Sequence, residues 1–279
     1  MTPHFSIITA TRGISPQLQR CAASVADQGG VNLEHLVTLK DSSQPSSIPA
    51  GSCRVLVQAS SSNGLYGALN QGFESAQGDV LAWLNDDEQY LPGTLDFVRQ
   101  YFDTHPDMDL LFGDFLVVDA SGQLLAFRKG YAPRWPYIVS SHLYLFSCTL
   151  FFRRRVWKSG LRFDTTFQCA GDMDFVARAL RAGFRAMHLP RYFSAFTWTG
   201  ENLSSSAAAL PEERRVHSAA PLWVRCLRWP LNLARLAEKY FSGAYRQAWP
   251  LTYAIYQNDL TRRTTLTANA GSWHWPQRR

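Results

Sequence analysis

The chain has no run of residues long and apolar enough to cross a bilayer as a helix. Its most apolar stretch, Tyr137 to Phe152, is interrupted by Ser140, Ser141, His142 and Ser147, short of the ~20 apolar residues that a span requires. The start, Met1-Thr2-Pro3-His4-Phe5, lacks the basic flank and apolar core of a signal peptide, so a cytoplasmic protein is expected. Cysteine is sparse. Cys21, Cys53, Cys148, Cys169 and Cys226 are scattered, odd in number and without a Cys-x-x-Cys pair, which suits reduced thiols and argues against a disulfide framework or a zinc site. Neither G-x-G-x-x-G nor G-x-x-x-x-G-K-[ST] occurs, so dinucleotide oxidoreductase and P-loop readings lose support.

What is present is enough apolar material for a substantial core: 46% of 279 residues are hydrophobic, which fits one large α/β domain or a domain plus an appendage. The net charge of +6 is unevenly placed. From Ser205 onward 11 Lys/Arg stand against 4 Asp/Glu, while the residues before it carry 17 against 18. Such asymmetry suggests that the tail meets an anionic surface while the body does something else.

Read in order, Phe5 to Thr9 is a first buried strand, and Ser15-Pro16 supplies an N-cap and a first-turn proline for a helix bearing Leu18, Ala22 and Val25 on one face. Leu33 to Leu39 and Arg54 to Gln58 are further strands; Leu65, Leu69 and Phe73 then recur at helical spacing before Gly78. Val80 to Leu84 is a short apolar run that ends in Asn85-Asp86-Asp87-Glu88. Beyond it, Pro92 opens a helix striped with Leu95, Val98 and Phe102, and Leu110 to Val118 and Gln123 to Phe127 are strands. Alternation of this kind predicts a mostly parallel central sheet flanked by helices.

In a parallel sheet the carboxyl ends of the strands lie along one edge, where ligands bind. Thr9 with Arg12, Asp41 with Ser42, and Asn85 to Glu88 each follow a predicted strand, so they converge on one crevice. Three successive acids repel one another and need either water or a hard cation, so the turn is either a solvated acidic loop or a cation site. Asp172 and Asp174 precede Phe175, Val176, Ala179 and Leu180 at helical spacing; they are either helix-capping acids or, in a cleft, a source of a general base. Gly130 to Trp157 is rich in aromatics, which serve a core or stack on sugar rings.

A Ser/Ala segment past Ser204 marks a boundary between residues 1–204 and a basic, Trp-rich extension over 205–279 that reads as helical. There Leu233, Leu236, Ala237, Tyr240 and Phe241 form a helical stripe accompanied by Arg225, Arg228, Arg235 and Lys239. The segment fits an anionic membrane surface, or a helix packed back on the domain with its charges in water. No nucleic-acid module accompanies the charge, and no nucleic-acid partner is expected.

The runs Asn63-Gly64-Leu65-Tyr66-Gly67-Ala68-Leu69-Asn70-Gln71-Gly72, Ala76-Gln77-Gly78-Asp79, Trp83-Leu84-Asn85-Asp86-Asp87 and Leu91-Pro92-Gly93-Thr94-Leu95, with Phe112-Gly113-Asp114 and the Asp172 region following in order, resemble bacterial glycosyltransferases of family 2, of the Trp-Leu-Asn-x-Asp-Asp subgroup. The resemblance implies a GT-A fold and an inverting transfer of sugar from a nucleotide diphosphate sugar to an acceptor hydroxyl, on a glycan or glycolipid of the bacterial surface. It implies a nucleotide-sugar site with Thr9, Arg12, Asp41, Asn70, Asn85 and Asp86, and Mg2+ or Mn2+ at Asp87 or Glu88. Asp172 matches the general base. The protein would work in the cytoplasm, peripherally on the inner membrane face if the tail docks there.

The sequence departs from the family pattern in four places. Asn85 stands where many relatives have an Asp, Glu88 replaces a second Asp, Leu39-Lys40-Asp41 displaces the usual Asp of the second strand, and Gly171 stands where a Glu is common. The alternatives are a catalytically inactive sugar-binding or scaffolding protein of the same fold, and a sugar nucleotidyltransferase. The latter requires a basic, glycine-rich phosphate loop, and Thr9-Ala10-Thr11-Arg12-Gly13 is sparse for one.

Overall fold

The structure, a computed structural model, describes residues 4–40, 53–57, 64–200 and 208–276. Its first half alternates as expected: β1 (His4–Thr11), α1 (Pro16–Ala26), β2 (Asn32–Leu39), β3 (Cys53–Val57), α2 (Gly64–Ser75), β4 (Val80–Trp83), β5 (Glu88–Tyr90) and α3 (Thr94–Thr104). There follow β6 (Leu110–Val118), β7 (Leu124–Arg128), α4 (Trp135–Ser140), β8 (Phe151–Arg153), α5 (Arg154–Lys158), α6 (Gly171–Arg181) and β9 (Ala186–Thr197). Ser15 caps α1 as its sequence predicts, its hydroxyl accepting the Leu18 N–H at 3.0 Å.

The main sheet runs β3-β2-β1-β4-β8-β6-β9-β5, with β7 beside β6. β1 to β4 are mutually parallel where they pair; β8 runs antiparallel to both β4 and β6, and β9 is again parallel to β6. The mostly parallel sheet is therefore present. Strand β4 alternates between its faces, Leu81 and Trp83 packing under α2 and α6 while Val80, Ala82 and Leu84 pack with α1 and α3. Gly72 lets α2 settle directly on β1, since a Cβ there would lie 2.6 Å from Ile8 Cγ2. The aromatic segment goes largely into this core: Tyr131 stacks on Tyr144 at 4.0 Å, and the buried Trp157 lies against Phe73 at 5.1 Å.

The extension is helical over α7 (Ala209–Ser218), α8 (Leu222–Cys226) and α9 (Arg228–Phe241). Beyond it the expectation of helix fails. β10 (Leu251–Ile255) and β11 (Thr264–Ala268) pair as an antiparallel hairpin, and Tyr253 and Ile255 bury against Leu116, Val118, Phe127 and Ala195. Gln89 fastens this hairpin by accepting the Tyr256 N–H at 2.7 Å and donating to the Tyr256 carbonyl at 3.1 Å. Among the described residues no helix is long and apolar enough to cross a membrane.

Helix α9 packs with its polar side inward. Arg235 is only 6% exposed and donates to the Tyr131 hydroxyl at 3.0 Å, and Glu238 accepts from Arg134 at 2.7 Å. Trp229 is 80% and Phe241 83% exposed, and Leu233, Leu236 and Tyr240 are exposed between them. The helix does pack back on the domain with Arg225 and Arg228 in water, but Arg235 goes inside and the apolar stripe faces out, because Tyr131, Asn232 and Arg134 offer polar partners on the side that packs.

Candidate active site

Strand β4 delivers Asn85, Asp86 and Asp87 to the carboxyl edge of the sheet. Leu84 still bonds across to β1, its N–H donating to the Ile8 carbonyl at 3.0 Å. Beyond that point the chain turns, and Thr11 at the end of β1 donates its hydroxyl to Asp86 Oδ2 at 2.7 Å. Burial pushes the Asp86 carboxyl up, and the Thr11 hydroxyl, its own backbone and the Arg12 guanidinium hold it back. Arg12 is exposed in the bend that follows β1.

Glu88 does not share this edge. It is fully buried, with one oxygen accepting the Asn85 backbone N–H at 2.7 Å and the other accepting from Asn85 Nδ2 at 3.0 Å. Burial, and then the charge of Asp87, push its carboxyl well up. The expectation that Glu88 reaches a metal is corrected on this geometry: it braces the acidic turn from inside, and both oxygens are spent on Asn85. Asp87 is half-buried, and its carbonyl accepts the Thr197 N–H at 3.0 Å, which fixes the turn against β9.

Asp172 lies in the first turn of α6. Its backbone N–H donates to the Tyr66 hydroxyl at 3.3 Å, and that hydroxyl donates to the Cys169 carbonyl at 2.9 Å. Tyr66 belongs to the first turn of α2, which starts after the carboxyl end of β3 and therefore at the same sheet edge as Asp86 and Asp87. Phe163 fills the space between, stacked on Tyr66 at 5.5 Å and edge-on to Trp83 of β4 at 5.1 Å. Burial raises the Asp172 carboxyl to about 6, with Glu213 and Glu212 adding to the rise and the N–H groups of Met173 and of Asp172 itself opposing it.

The loop that carries this acid is held from two sides. Asn70 accepts the Phe163 N–H at 3.0 Å and donates to the Phe163 carbonyl at 2.9 Å. Glu212 of α7 accepts the N–H groups of Gln168, Cys169 and Ala170 at 2.7, 2.8 and 2.9 Å. Gly171 has no room for a side chain, since a Cβ would lie 2.6 Å from the Tyr66 ring. A Glu at that position has no space here.

One further sequence expectation is corrected. Thr9 is fully buried within β1, 2.9 Å from His35 Nε2 and 3.7 Å from Cys21 Sγ, so it supports the core and does not line the crevice. Asn70 binds the Phe163 backbone through its amide and so holds the loop. Asp41 lies outside the described residues. Sequence reasoning missed Thr11, Tyr66 and Glu212. Thr11 was within reach by parity, two residues beyond Thr9 on the same face of the strand, and Tyr66 stands inside the Asn63–Gly72 run; nothing local marks Glu212. Among the described residues no three His, Cys, Asp or Glu side chains gather as a metal cage.

Residues 6–180 match the family model of Glycosyl transferase family 2. The chain is 29% identical over 123 residues to the PGL/p-HBAD biosynthesis glycosyltransferases of Mycobacterium bovis (strain BCG / Pasteur 1173P2) and Mycobacterium tuberculosis (strain ATCC 25618 / H37Rv), a stretch covering 41% of this chain and 48% of each relative. It thus spans about half the length of the curated relatives it matches. Among solved structures, S. aureus TarS 1-349 in complex with UDP-GlcNAc superposes with a TM-score of 0.61 at 17% identity, covering 91% of this chain and 97% of that one. S. aureus TarS itself superposes at 0.60 with 18% identity, covering 94% and 60%. The fold is GT-A, and with the matched segment holding both the β4 tip and the start of α6, the chain belongs to glycosyl transferase family 2.

Proposed function

We propose that this protein transfers a sugar, with inversion, from a nucleotide diphosphate sugar to a hydroxyl of a glycan or glycolipid in the assembly of a bacterial cell-surface polymer. What supports this reading is that Tyr66, whose hydroxyl receives the Asp172 N–H, stacks on Phe163, which in turn packs on Trp83 of β4, the strand that leads into Asp87. Asp172 is the general base: its carboxylate takes the proton of the acceptor hydroxyl while that oxygen forms the new glycosidic bond and the bond to the donor diphosphate breaks. A carboxyl held near 6 is a stronger base than an ordinary aspartate and is still mostly ionised at neutral pH.

Asn85, Asp86, Asp87 and Arg12 face the donor, with Thr11 fixing Asp86. By resemblance Asp41 meets the nucleoside. Mg2+ or Mn2+ fits the donor set at the β4 tip, because a hard cation that keeps waters and takes phosphate oxygens needs only one or two carboxylates from the protein. Asp87 would hold it. When bound, the ion offsets the charge that builds on the leaving diphosphate. The outward apolar stripe of α9, beside Arg225 and Arg228, supports a peripheral position on an anionic membrane surface.

Thermal melting with a panel of nucleoside diphosphates and their sugars, with and without Mn2+, tests the donor, since ligands bound only by the folded chain raise its apparent stability. UDP-sugars are the first candidates, as TarS was crystallised with UDP-GlcNAc and with UDP. Stabilisation by at least one nucleotide sugar, followed by release of the nucleoside diphosphate on adding an acceptor, is the expected result. Binding without release in both the native chain and Asp172→Asn would make the protein an inactive sugar-binding module.

A further inference from the structure

We propose that the open cavity between α4, α7, α8 and the start of α9 binds the phosphate headgroup of an anionic lipid, so that the extension reads membrane charge at a built site. This rests on the membrane reading above and deepens it. The cavity measures about 390 Å³ and is lined by Arg214, His217, Arg225 and Arg228 above Val139 and Val224, and no acidic side chain lines it. Among the described residues neither Arg214 nor Arg225 takes part in an ion pair. Arg228 uses its Nε on the Ser140 carbonyl at 3.0 Å, which turns its guanidinium along the cavity wall. His217 Nε2 is buried without a hydrogen-bond partner.

Three arginines line the cavity without a carboxylate, a set of like charges that an anion relieves, and guanidinium groups match the oxygens of a phosphate in pairs. What surrounds them selects the source of that phosphate. Leu222, Trp223, Leu227 and Trp229, all exposed, interleave with Arg225 and Arg228 along one short segment, and the stripe continues through Leu233, Leu236, Tyr240 and Phe241. Exposed apolar surface of that extent on the segment that carries Arg225 and Arg228 suits a headgroup whose acyl chains lie alongside, with tryptophans at the interface. A soluble phosphate would use the arginines and leave that apolar surface in water.

The test is sedimentation of the full chain with phosphatidylcholine vesicles, with and without phosphatidylglycerol. The native protein is expected to bind the anionic vesicles. Arg214→Ala with Arg225→Ala should weaken that binding roughly 30-fold, each basic residue near the surface being worth about fivefold. The matching pair of lysine substitutions should recover only part of it, because lysine keeps the charge and loses the planar fork. Both arginines are exposed, and an unchanged melting temperature in each variant verifies the fold. Lysine variants that bind as well as the native chain would reduce the site to diffuse attraction and overturn it. Alanine variants that bind normally, while Trp229→Ser with Leu233→Ser abolishes binding, would overturn the site and leave the membrane reading standing. Failure of the native chain to sediment with any vesicle removes both. Stabilisation by inorganic phosphate that depends on Arg214 and Arg225, with vesicle binding unaffected by their loss, would assign the cavity to a soluble anion instead.

Discussion

The Tyr66 hydroxyl accepts the backbone N–H of Asp172 at 3.3 Å, so the first turn of α2 sets the position of the first turn of α6. The same oxygen donates to Cys169, and Gly171 between them is bare to let the ring approach. Tyr66→Phe keeps the ring and its stacking on Phe163 and removes both hydrogen bonds. The expected loss of stability is about 1–2 kcal/mol by urea unfolding. Turnover should fall roughly tenfold with donor affinity little changed, because the acid shifts while the β4 tip does not. A drop in donor affinity with turnover intact would show that Tyr66 serves the nucleotide and not the base.

Asp172 is a place where stability and activity oppose each other. Its carboxyl is raised to about 6 in the folded chain from an ordinary value near 3.8, so the folded state binds this proton more tightly than the unfolded one. The cost of keeping it ionised is absent below pH ~4 and grows as pH rises through 6, reaching about 1–3 kcal/mol at neutrality. Asp172→Asn should therefore raise the melting temperature at pH 7.5 and not at pH 4, while turnover falls by about 10²–10⁴. In the native protein kcat/KM should decline about tenfold per pH unit below 6. A rate that is flat from pH 5 to 8 would remove Asp172 as the base.

The acidic turn separates two roles that its sequence leaves together. Asp87→Ala should weaken Mn2+-dependent binding of nucleoside diphosphate by roughly tenfold or more, with the melting temperature nearly unchanged, because the side chain is half-buried at the tip. Glu88→Ala should instead destabilise the chain by about 1–3 kcal/mol, since it strips the half-buried Asn85 N–H and amide of their acceptor. Calorimetric titration and urea unfolding of the two variants distinguish these effects. Reversal of the pattern would make Glu88 the metal acid.

The elements around the site were legible because local signals agreed with tertiary ones. The apolar run Val80 to Leu84 ending in acids, the Ser15-Pro16 helix start and Leu110 to Val118 all stand where their sequences put them. Thr9 was misplaced because β1 continues two residues further, to Thr11, and the polar residue beyond the core is the later one. β9 was unassigned, since Pro190 and two register shifts against β6 break the alternation that marks a strand. Periodicity drew the stripe on α9 correctly, yet it gives faces without saying which one is covered. That choice was made by Tyr131 and Arg134, about 100 residues away.

Glu212 is distant in sequence from the acid that it serves. Its carboxylate gathers three consecutive backbone N–H groups just before α6. Glu212→Gln keeps one oxygen and should retain part of the function; Glu212→Ala leaves the loop without its anchor. The expected result is a graded loss of kcat, with Asp172's apparent pKa lower in both variants because a neighbouring negative charge is gone. Equal kcat and equal pH profiles in all three proteins would confine Glu212 to packing.

The extension also closes the body of the protein, which predicts the outcome of cutting it away. Arg263 on the hairpin side pairs with Asp27 and donates to the Tyr90 and Ser24 carbonyls at 2.8 and 3.2 Å, spanning α1 and β5. Tyr253 and Ile255 cover Leu116, Val118 and Ala195, which would otherwise be open to water. A chain ending at Ser204 loses this cover and the Glu212 anchor together, so it should be recovered largely as aggregate, with any soluble fraction binding dye for exposed apolar surface. Arg263→Ala in the full chain should cost about 2–4 kcal/mol, because Asp27 and the Tyr90, Ser24 and Ala254 carbonyls lose one shared donor. A soluble, cooperatively melting 1–204 fragment would mean that the hairpin rests on a domain complete without it.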